Sequence, residues 1–492
     1  MDRRSFVKSL GVSLTIPTLE ESAPGRTVQS SDGGGATGKA PNVIIMICDD
    51  LGYGDLGCYG SSLKTPNLDR MASQGTRLTR FNAAHPICSA SRAALLTGRY
   101  AQRSHTAGAY FPHSKSGMSL EETTLADLFR ARGYRTKCVG KWHLGDAPKY
   151  LPTNRGFDSF YGVPYSDDMK PLPLIRDTTV LGADTDRDLL TPRYTDEALK
   201  FVRQTSDKPF FLYLAYSYPH DPARASPRFR GHSGFGDYGD AVEEIDWSAG
   251  EIMRALTHRG LLGDTLVLFT SDHGCWYQGN PGLLRGRKAS TFEGGFRVPL
   301  IAHWPGIIPK GEVVDTWGSN LDVVPTLAAF CGLASSPKPL DGENISSLLQ
   351  GKKSSIDRRT ILYFSPMTSG GLDLHCARKG DWKLRVAQTT GEIYISDRGN
   401  GKQSFWLARP ELYNLARDPT ESYDVAKIHP EIVGEILSDV AVSIATFPAD
   451  VQQAFAKLQQ NVARVTTPPG AAPRLNTGTP LPEWAWEPPD RR

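Results

Sequence analysis

The chain has 492 residues, of which 39% are hydrophobic and 22% are charged, and its 56 basic and 53 acidic residues leave a formal net charge of +3. This balance excludes the strongly basic surface of nucleic-acid-binding proteins, and no apolar run approaches the ~20 residues that cross a bilayer as a helix. The composition is that of a globular protein, and the length predicts either several domains or one large α/β domain with a smaller appendage.

The N-terminal segment has the features of an export signal. Two adjacent arginines, Arg3 and Arg4, precede Phe6, Lys8 and a mildly apolar stretch over 10–19. This pattern resembles a twin-arginine signal, which implies the twin-arginine export machinery as a partner and a periplasmic or extracellular location. The alternative is a chance basic N-terminus on a cytoplasmic protein.

Three apolar segments predict strands that are buried on both faces of a sheet, and one further short segment predicts a fourth strand. They lie at 43–48, 134–140, 208–216 and 265–271. Polar residues follow each segment, namely Asp49 and Asp50, Lys141 and His143, His220, and Asp272 and His273. Helical patterns between the strands predict a largely parallel sheet, and such sheets bind ligands at the carboxyl ends of their strands. We therefore expect these polar side chains to meet at one edge of the sheet.

Local signals set the expected ends of the helices. One helix is predicted to begin with Thr65 as its N-cap and Pro66 at the first helical position. Further amphipathic helices are predicted over 120–132, which ends at Gly133, and over 241–258.

The C-terminal part has a different pattern. Beyond about residue 337, short alternating segments predict a small antiparallel sheet, and one helix is predicted over 430–447. The predicted division of the chain is a signal and linker over 1–39, a catalytic domain over 40–355, a C-terminal α+β subdomain over 356–465 and an irregular tail over 466–492.

The expected meeting point contains the carboxylates of Asp49, Asp50 and Asp272. Buried carboxylates are costly unless cations hold them, and several oxygen donors together suit a hard cation. We therefore predict a Ca²⁺ site, with Mg²⁺ as the alternative. His273 is the weakest of the predicted ligands because imidazole is a poor partner for Ca²⁺.

Cys88 precedes a helical run over 91–96 that ends at Gly98. A cysteine at a helix N-terminus lies near free backbone N–H groups, and Arg92 follows one turn later on the same face. From the residues alone, Cys88 is either an activated nucleophile or an ordinary buried cysteine. The seven cysteines form no Cys-x-x-Cys pair, so we interpret most as free thiols, with a disulfide among the other six left open.

The runs CSASR at 88–92 and LTGR at 96–99 together resemble the signature of type I sulfatases. In that family the motif cysteine is oxidised to formylglycine, an aldehyde whose hydrate is the nucleophile. The resemblance extends over about 42–341 and includes Lys288 with the run EGGFRVP at 293–299. It implies an alkaline-phosphatase-like α/β fold, with a large, mixed but mostly parallel sheet flanked by helices, a small C-terminal antiparallel sheet, and metal-dependent hydrolysis of sulfate esters.

The resemblance also implies roles for individual residues. The implied catalytic residues are Cys88, Arg92, Lys141, His143, His220 and Lys288. The implied metal ligands are Asp49, Asp50, Cys88, Asp272 and His273, and the implied substrate-binding residues are Ser166, Lys141, His220 and Lys288. The runs PYS at 164–166 and GLLR at 282–285 look most like the arylsulfatase A-like branch of the family.

Ala90 departs from the commonest form of the motif, which has proline at this position. The family's oxygen-dependent maturase prefers proline and its radical-dependent maturases accept alanine, so the enzyme that converts Cys88 is left open. The expected substrate is a sulfated carbohydrate or an aryl-type sulfate ester. Two alternatives stand beside it: a phosphoester or phosphonate monoester hydrolase on the same fold, and a catalytically silent glycan- or metal-binding protein whose Cys88 is not converted.

Overall fold

The computed structural model describes residues 39–356, 359–390 and 402–462. The predicted export signal, most of the predicted linker and the predicted C-terminal tail lie outside these residues. In the described ranges, no helix combines the length and apolar character needed to cross a membrane.

An eleven-stranded sheet forms the centre of the protein. Its strands lie in the order β10 (Glu312–Val314), β2 (Thr76–Asn82), β9 (Arg297–His303), β8 (Thr265–Ser271), β1 (Asn42–Cys48), β7 (Phe210–Ala215), β3 (Arg135–Lys141), β4 (Ser159–Val163), β5 (Leu174–Arg176) and β6 (Thr179–Gly182), and β11 (Gly318–Ser319) pairs with β2. The five neighbouring strands from β8 to β4 are all parallel. Antiparallel pairs follow on both sides, with β9 next to β8 and β5 next to β4. The predicted mixed, mostly parallel sheet is therefore confirmed.

The central strands are apolar on both faces because helices cover both. Alternate residues of β1 contribute to separate cores: Val43, Ile45 and Ile47 lie in one, and Ile44 and Met46 lie in the other. This alternation follows from the two-residue period of an extended chain. The burial on both faces explains why this strand reads as a continuous apolar run.

The described residues form ten α-helices, and the last two follow the final strand of the chain. They are α1 (Pro66–Ser73), α2 (Cys88–Thr97), α3 (Leu125–Ala131), α4 (Leu190–Arg203), α5 (Gly236–His258), α6 (Glu293–Phe296), α7 (Val323–Cys331), α8 (Ser346–Leu349), α9 (Pro430–Ile444) and α10 (Ala449–Gln460). One core contains side chains of α2, α3 and α7, and the other contains side chains of α1, α4 and α5.

The helices differ from the predictions at four points. The helix predicted over 241–258 begins earlier, at Gly236. The helix predicted over 120–132 begins only at Leu125, because Thr124 and Asp127 form a reciprocal capping box there. Thr65 is the N-cap residue of α1, but its side chain makes no capping hydrogen bond. A second C-terminal helix, α10, follows α9 and was not predicted.

A four-stranded antiparallel sheet lies in the C-terminal part, as predicted. Its strands lie in the order β12 (Ile361–Ser365), β13 (Asp373–Lys379), β14 (Trp382–Thr389) and β15 (Ser404–Asn414). All seven cysteines are free thiols, so the disulfide that the sequence left open is absent.

Candidate active site

Five adjacent parallel strands end at one edge of the sheet, and each carries predicted site residues there. β8 precedes Asp272 and His273, β1 precedes Asp49 and Asp50, β7 precedes His220, β3 ends at Lys141 before His143, and β4 precedes Ser166. All of these residues are buried, and the most exposed of them, His220, is 7% exposed. The strand topology thus brings together residues that are far apart in sequence.

Arg92 joins the carboxylates of Asp49 and Asp272. Its fully buried guanidinium places Nη2 3.2 Å from Oδ1 of Asp49 and 3.0 Å from Oδ2 of Asp272. Nζ of Lys141 forms a second ion pair with Asp49. Burial opposes the charge of Asp49, but Lys141, His220 and Arg92 outweigh burial and hold the pKa of this carboxyl well below its ordinary value. Asp49 is therefore ionised.

Lys288 holds Asp50. Its Nζ lies 2.9 Å and 2.8 Å from the two carboxylate oxygens of Asp50. Burial lowers the pKa of Lys288, but the charge of Asp50 outweighs it and raises this pKa above its ordinary value. Three carboxylates in this cluster thus face three fixed cations, Arg92, Lys141 and Lys288.

Cys88 is the first residue of α2 and lies against His273. Its Sγ is 3.2 Å from Nε2 of His273. Burial, followed by the charge of Asp49, raises the pKa of the Cys88 thiol. The position at a helix N-terminus therefore does not make Cys88 a thiolate, and the geometry does not favour a reactive thiol.

His273 turns its Nε2 towards Cys88 and the carboxylates of the cluster. Its Nδ1 lies 3.0 Å from the carbonyl oxygen of Gly274, so Nδ1 carries the proton of a neutral ring. Nε2 is then left with a lone pair, 3.4 Å from Oδ1 of Asp50. This is the orientation in which an imidazole serves as a metal ligand.

His143 lies next to Lys141 but not in an extended segment. β3 ends at Lys141, and His143 has a φ of 58°, so a turn and not strand periodicity directs its side chain. Nε2 lies 2.9 Å from the carbonyl oxygen of Tyr110, and the buried Nδ1 has no hydrogen-bond partner among the described residues. Burial, followed by the charge of Lys141, lowers the pKa of His143. A neutral imidazole with a free lone pair has the properties of a general base.

Ser166 links Lys141 to His220. Its Oγ lies 3.0 Å from Nζ of Lys141 and 3.3 Å from Nε2 of His220. Nε2 of His220 is also 3.8 Å from Oδ2 of Asp50. Ser166 and His220 therefore face the same space as the carboxylate cluster.

The sequence matches a known protein family over more than half of its length. A family model described as Sulfatase matches residues 41–333. The chain belongs to the sulfatase family. It is 36% identical to arylsulfatase A of Homo sapiens over 498 residues, which covers 92% of this chain and 97% of the relative. It is 40% identical to N-acetylgalactosamine-6-sulfatase of Rattus norvegicus over 431 residues, which covers 78% of this chain and 81% of the relative.

A solved protein structure has the same fold as this chain. It is described under the metabolism of multiple glycosaminoglycans by Bacteroides thetaiotaomicron, and it superimposes with a TM-score of 0.73 at 28% identity, covering 82% of this chain and 99% of that chain. This sulfatase is accordingly an enzyme of the sulfuric ester hydrolase class with the alkaline-phosphatase-like fold.

The donor set of this sulfatase fits a divalent metal. Ligand atoms of Asp49, Cys88, Asp272 and His273 all lie within 4.8 Å of one another. Asp50 belongs to the same cluster, because its carboxylate lies within 4.8 Å of the ligand atoms of Cys88 and His220. Carboxylate oxygens are the preferred ligands of hard cations, and an oxygen in place of the Cys88 sulfur would complete such a set.

Sequence reasoning missed three residues of this sulfatase site. Ser91 donates from Oγ to the carbonyl oxygen of Asp272 and so holds α2 against the loop after β8. Asn320 donates from Nδ2 to the carbonyl oxygen of Ser91 at 3.1 Å. Asp167, which lies next to Ser166 in the loop after β4, has Oδ1 3.2 Å from Nδ1 of His220. The signal for Asp167 was an acidic pair directly after Ser166, whereas nothing local marked Asn320.

Proposed function

We propose that this protein hydrolyses sulfate esters with a nucleophile derived from Cys88 and with a divalent metal, Ca²⁺ or alternatively Mg²⁺. The observation that carries the proposal is the convergence of Cys88, three carboxylates and three cations at one edge of the sheet. Formylglycine formed from Cys88 would supply an aldehyde hydrate whose hydroxyl attacks the sulfur of the ester.

The metal would be held by Asp49, Asp50, Asp272 and His273, together with residue 88. It would supply positive charge next to the attacking oxygen and the sulfate. Because the three carboxylates already face three fixed cations, an added divalent cation leaves the cluster with net positive charge. A net positive, water-poor site is suited to a sulfate ester and to the charge that develops in its transition state.

Arg92 and Lys141 orient residue 88 and the carboxylates around it. Both cations are fully buried and contact Asp49, so neither has freedom to rotate away from the site. Their charge also compensates the bound sulfate.

His220 and Lys288 act on the leaving group. Nζ of Lys288 and Nε2 of His220 both approach Asp50, at 2.8 Å and 3.8 Å, so both face the metal side of the cluster. We assign to them the binding of the ester oxygen and the protonation of the departing alcohol. Ser166 joins this pair through its contacts with His220 and Lys141.

His143 acts as the base of the second half of the reaction. Its Nδ1 is buried, neutral and without a partner in the described ranges. We assign to it the proton of the second hydroxyl on residue 88, whose removal expels sulfate and restores the aldehyde.

A sulfated saccharide is the substrate class that we propose. Support comes from the relative named N-acetylgalactosamine-6-sulfatase and from the structure described under glycosaminoglycan metabolism. A simple aryl sulfate is proposed as an artificial substrate, because the relative with 97% coverage is named arylsulfatase A.

We further propose that a formylglycine-generating maturase converts Cys88 and that the twin-arginine machinery then exports the protein. Cys88 is 3% exposed in the folded protein, which favours conversion before folding is complete. Twin-arginine export carries folded proteins, so this order is consistent with a periplasmic or extracellular location.

The direct test combines mass spectrometry with paired ester assays. The tryptic peptide over 81–92 should have the lower mass expected when an aldehyde oxygen replaces the thiol of Cys88. The converted protein should hydrolyse 4-nitrophenyl sulfate far faster than 4-nitrophenyl phosphate, and a chelator should abolish that activity until Ca²⁺ or Mg²⁺ is restored.

Cys88→Ala is the decisive variant for this test, because it removes the precursor of the nucleophile. We expect no sulfatase activity from it, and sulfatase activity at the wild-type level would end the proposal. A preference for the phosphate ester would instead support the phosphoester hydrolase alternative. Inactivity of a fully converted, metal-loaded protein on all sulfate esters would support the silent binding protein.

A further inference from the structure

Asp167 is a buried carboxylate that lies against the imidazole of His220, a proposed catalytic residue. It is 1% exposed, and its Oδ1 lies 3.2 Å from Nδ1 of His220. The N–H of the ring is not aligned with this oxygen, and neither Nδ1 nor the two carboxylate oxygens have a hydrogen-bond partner in the described part of the chain. A buried carboxylate without hydrogen bonds is costly, so its position next to His220 needs an explanation.

The loop that contains Asp167 is held without help from this carboxylate. Arg187 donates from Nε to the carbonyl oxygen of Asp167 at 2.8 Å and from Nη2 to the carbonyl oxygen of Met169 at 3.1 Å. Tyr218 in turn donates from its hydroxyl to the carbonyl oxygen of Arg187 at 2.8 Å. The backbone is therefore fixed by Arg187, and the carboxylate is not needed to shape the loop.

The two nitrogens of His220 face different surroundings. Nε2 points to the site, 3.3 Å from Oγ of Ser166 and 3.8 Å from Oδ2 of Asp50. Nδ1 points to Asp167. A carboxylate on one ring nitrogen sets both the orientation of an imidazole and the nitrogen that holds its proton.

We propose that Asp167 is a positioning residue that orients His220 so that Nε2 delivers a proton to the oxygen of the departing alcohol. This inference rests on the proposed function. As the bond between sulfur and that oxygen breaks, its electron pair stays on the oxygen and takes the proton from Nε2. Before this step His220 holds a proton on each ring nitrogen, and its positive charge lies next to the Asp167 carboxylate. The proton on Nδ1 stays there, which leaves neutral His220 until solvent restores the proton lost from Nε2.

The test uses a series of aryl sulfates whose leaving groups range from strongly to weakly acidic phenols. Poor leaving groups need protonation and good ones do not. We expect Asp167→Asn to lower kcat/KM for the poorest leaving group by about 10²-fold, the low end of a general-acid contribution, and for the best by less than about tenfold. Asp167→Glu, which keeps a carboxylate, should recover part of the loss.

Two comparisons distinguish positioning from a structural effect. Adding Asp167→Asn to His220→Gln should cause almost no further loss, because both variants remove one function. Asp168→Asn removes the same charge from the exposed neighbouring residue and should retain the wild-type dependence on the leaving group. A uniform loss across the series, an additive double variant, or the same selective loss in Asp168→Asn would overturn the inference. A converted wild-type protein that is inactive on every aryl sulfate would instead refute the proposed function.

Discussion

Arg92 is the residue on which the electrostatics of the site depend most directly. One fully buried guanidinium contacts two carboxylates that come from different strands, Asp49 after β1 and Asp272 after β8. Arginine suits this position because its planar fork contacts two acceptors and stays charged when buried. Removal of one partner from a buried ion cluster leaves the other charges uncompensated.

Arg92→Met should therefore destabilise the metal-free protein by about 3–5 kcal/mol. Urea unfolding in the presence of a chelator measures this change. Arg254→Met is the matched control, because Arg254 forms an exposed pair with Glu251 on α5, and such pairs contribute less than about 1 kcal/mol. Equal losses of unfolding free energy in the two variants would show that the contacts of Arg92 with Asp49 and Asp272 do not stabilise the protein.

At the scale of elements, α1 is capped from another helix. Thr65 does not cap it, because its Oγ1 instead accepts from the backbone N–H of Gly57 at 2.8 Å. Asp246 of α5 takes that place: its Oδ1 accepts from the backbone N–H of Asn67 at 3.0 Å and of Leu68 at 2.8 Å. A carboxylate at this end of α1 satisfies free N–H groups and complements the helix dipole.

The stability of this contact should depend on pH. Burial outweighs the hydrogen bonds from Leu68 and Asn67 and raises the pKa of Asp246 from 3.8 to about 6. The folded protein then binds this proton more tightly than the unfolded chain, so stability falls as pH rises from about 4 to about 6 and the full loss is present above pH 6. A difference of two pKa units corresponds to about 3 kcal/mol.

Asp246→Asn should remove this dependence. Between pH 4 and pH 7, the unfolding free energy of the variant minus that of wild type should increase by up to about 3 kcal/mol. Urea titrations at the two pH values measure the shift. Asp237→Asn, at an exposed position of the same helix, should show no such change. If the unfolding free energies of wild type and the Asp246 variant differ by the same amount at both pH values, the raised pKa of Asp246 is contradicted.

At the scale of the whole molecule, a buried ion cluster joins the large sheet's layer to the C-terminal sheet. Lys383 of β14 lies with Nζ 3.1 Å from Oε1 of Glu293 and 3.0 Å from Oε1 of Glu421. Glu293 opens α6, just after Lys288, and its backbone N–H donates to Oε2 of Glu421 at 2.6 Å. The C-terminal sheet thus supports the segment that places a cation in the site. The domain boundary near residue 355 stays a prediction.

Lys383→Met should lower the unfolding free energy by about 3–5 kcal/mol, because two buried glutamates lose their common partner. Chemical denaturation measures this change. Lys379→Met provides the control on the neighbouring strand, since Lys379 pairs with Glu435 and Asp439 at the surface, where pairs contribute about 1 kcal/mol or less. If the Lys383 variant is as stable as this control, the ion pairs of Lys383 do not stabilise the contact between the large sheet and the C-terminal sheet.

The sequence by itself determined the main elements of the fold and the chemistry of most of the site. Apolar runs marked β1, β7 and β8, because strands covered on both faces have no polar side, and a short segment after Gly133 marked β3. Polar residues at their ends marked the edge where the candidate site residues meet, and the CSASR run indicated the family. These are local signals, which the chain carries before it folds.

Only the tertiary structure decided which distant groups meet. In the folded protein Asp246, and not Thr65, caps α1. Asn320 contacts Ser91 of α2, and Asp167 lies next to His220. The tertiary structure also showed that burial keeps Cys88 from being a thiolate. These contacts depend on the order of the strands and on burial, which a local sequence pattern does not specify. The energy of a charged group depends on neighbours that only the folded chain brings close to it.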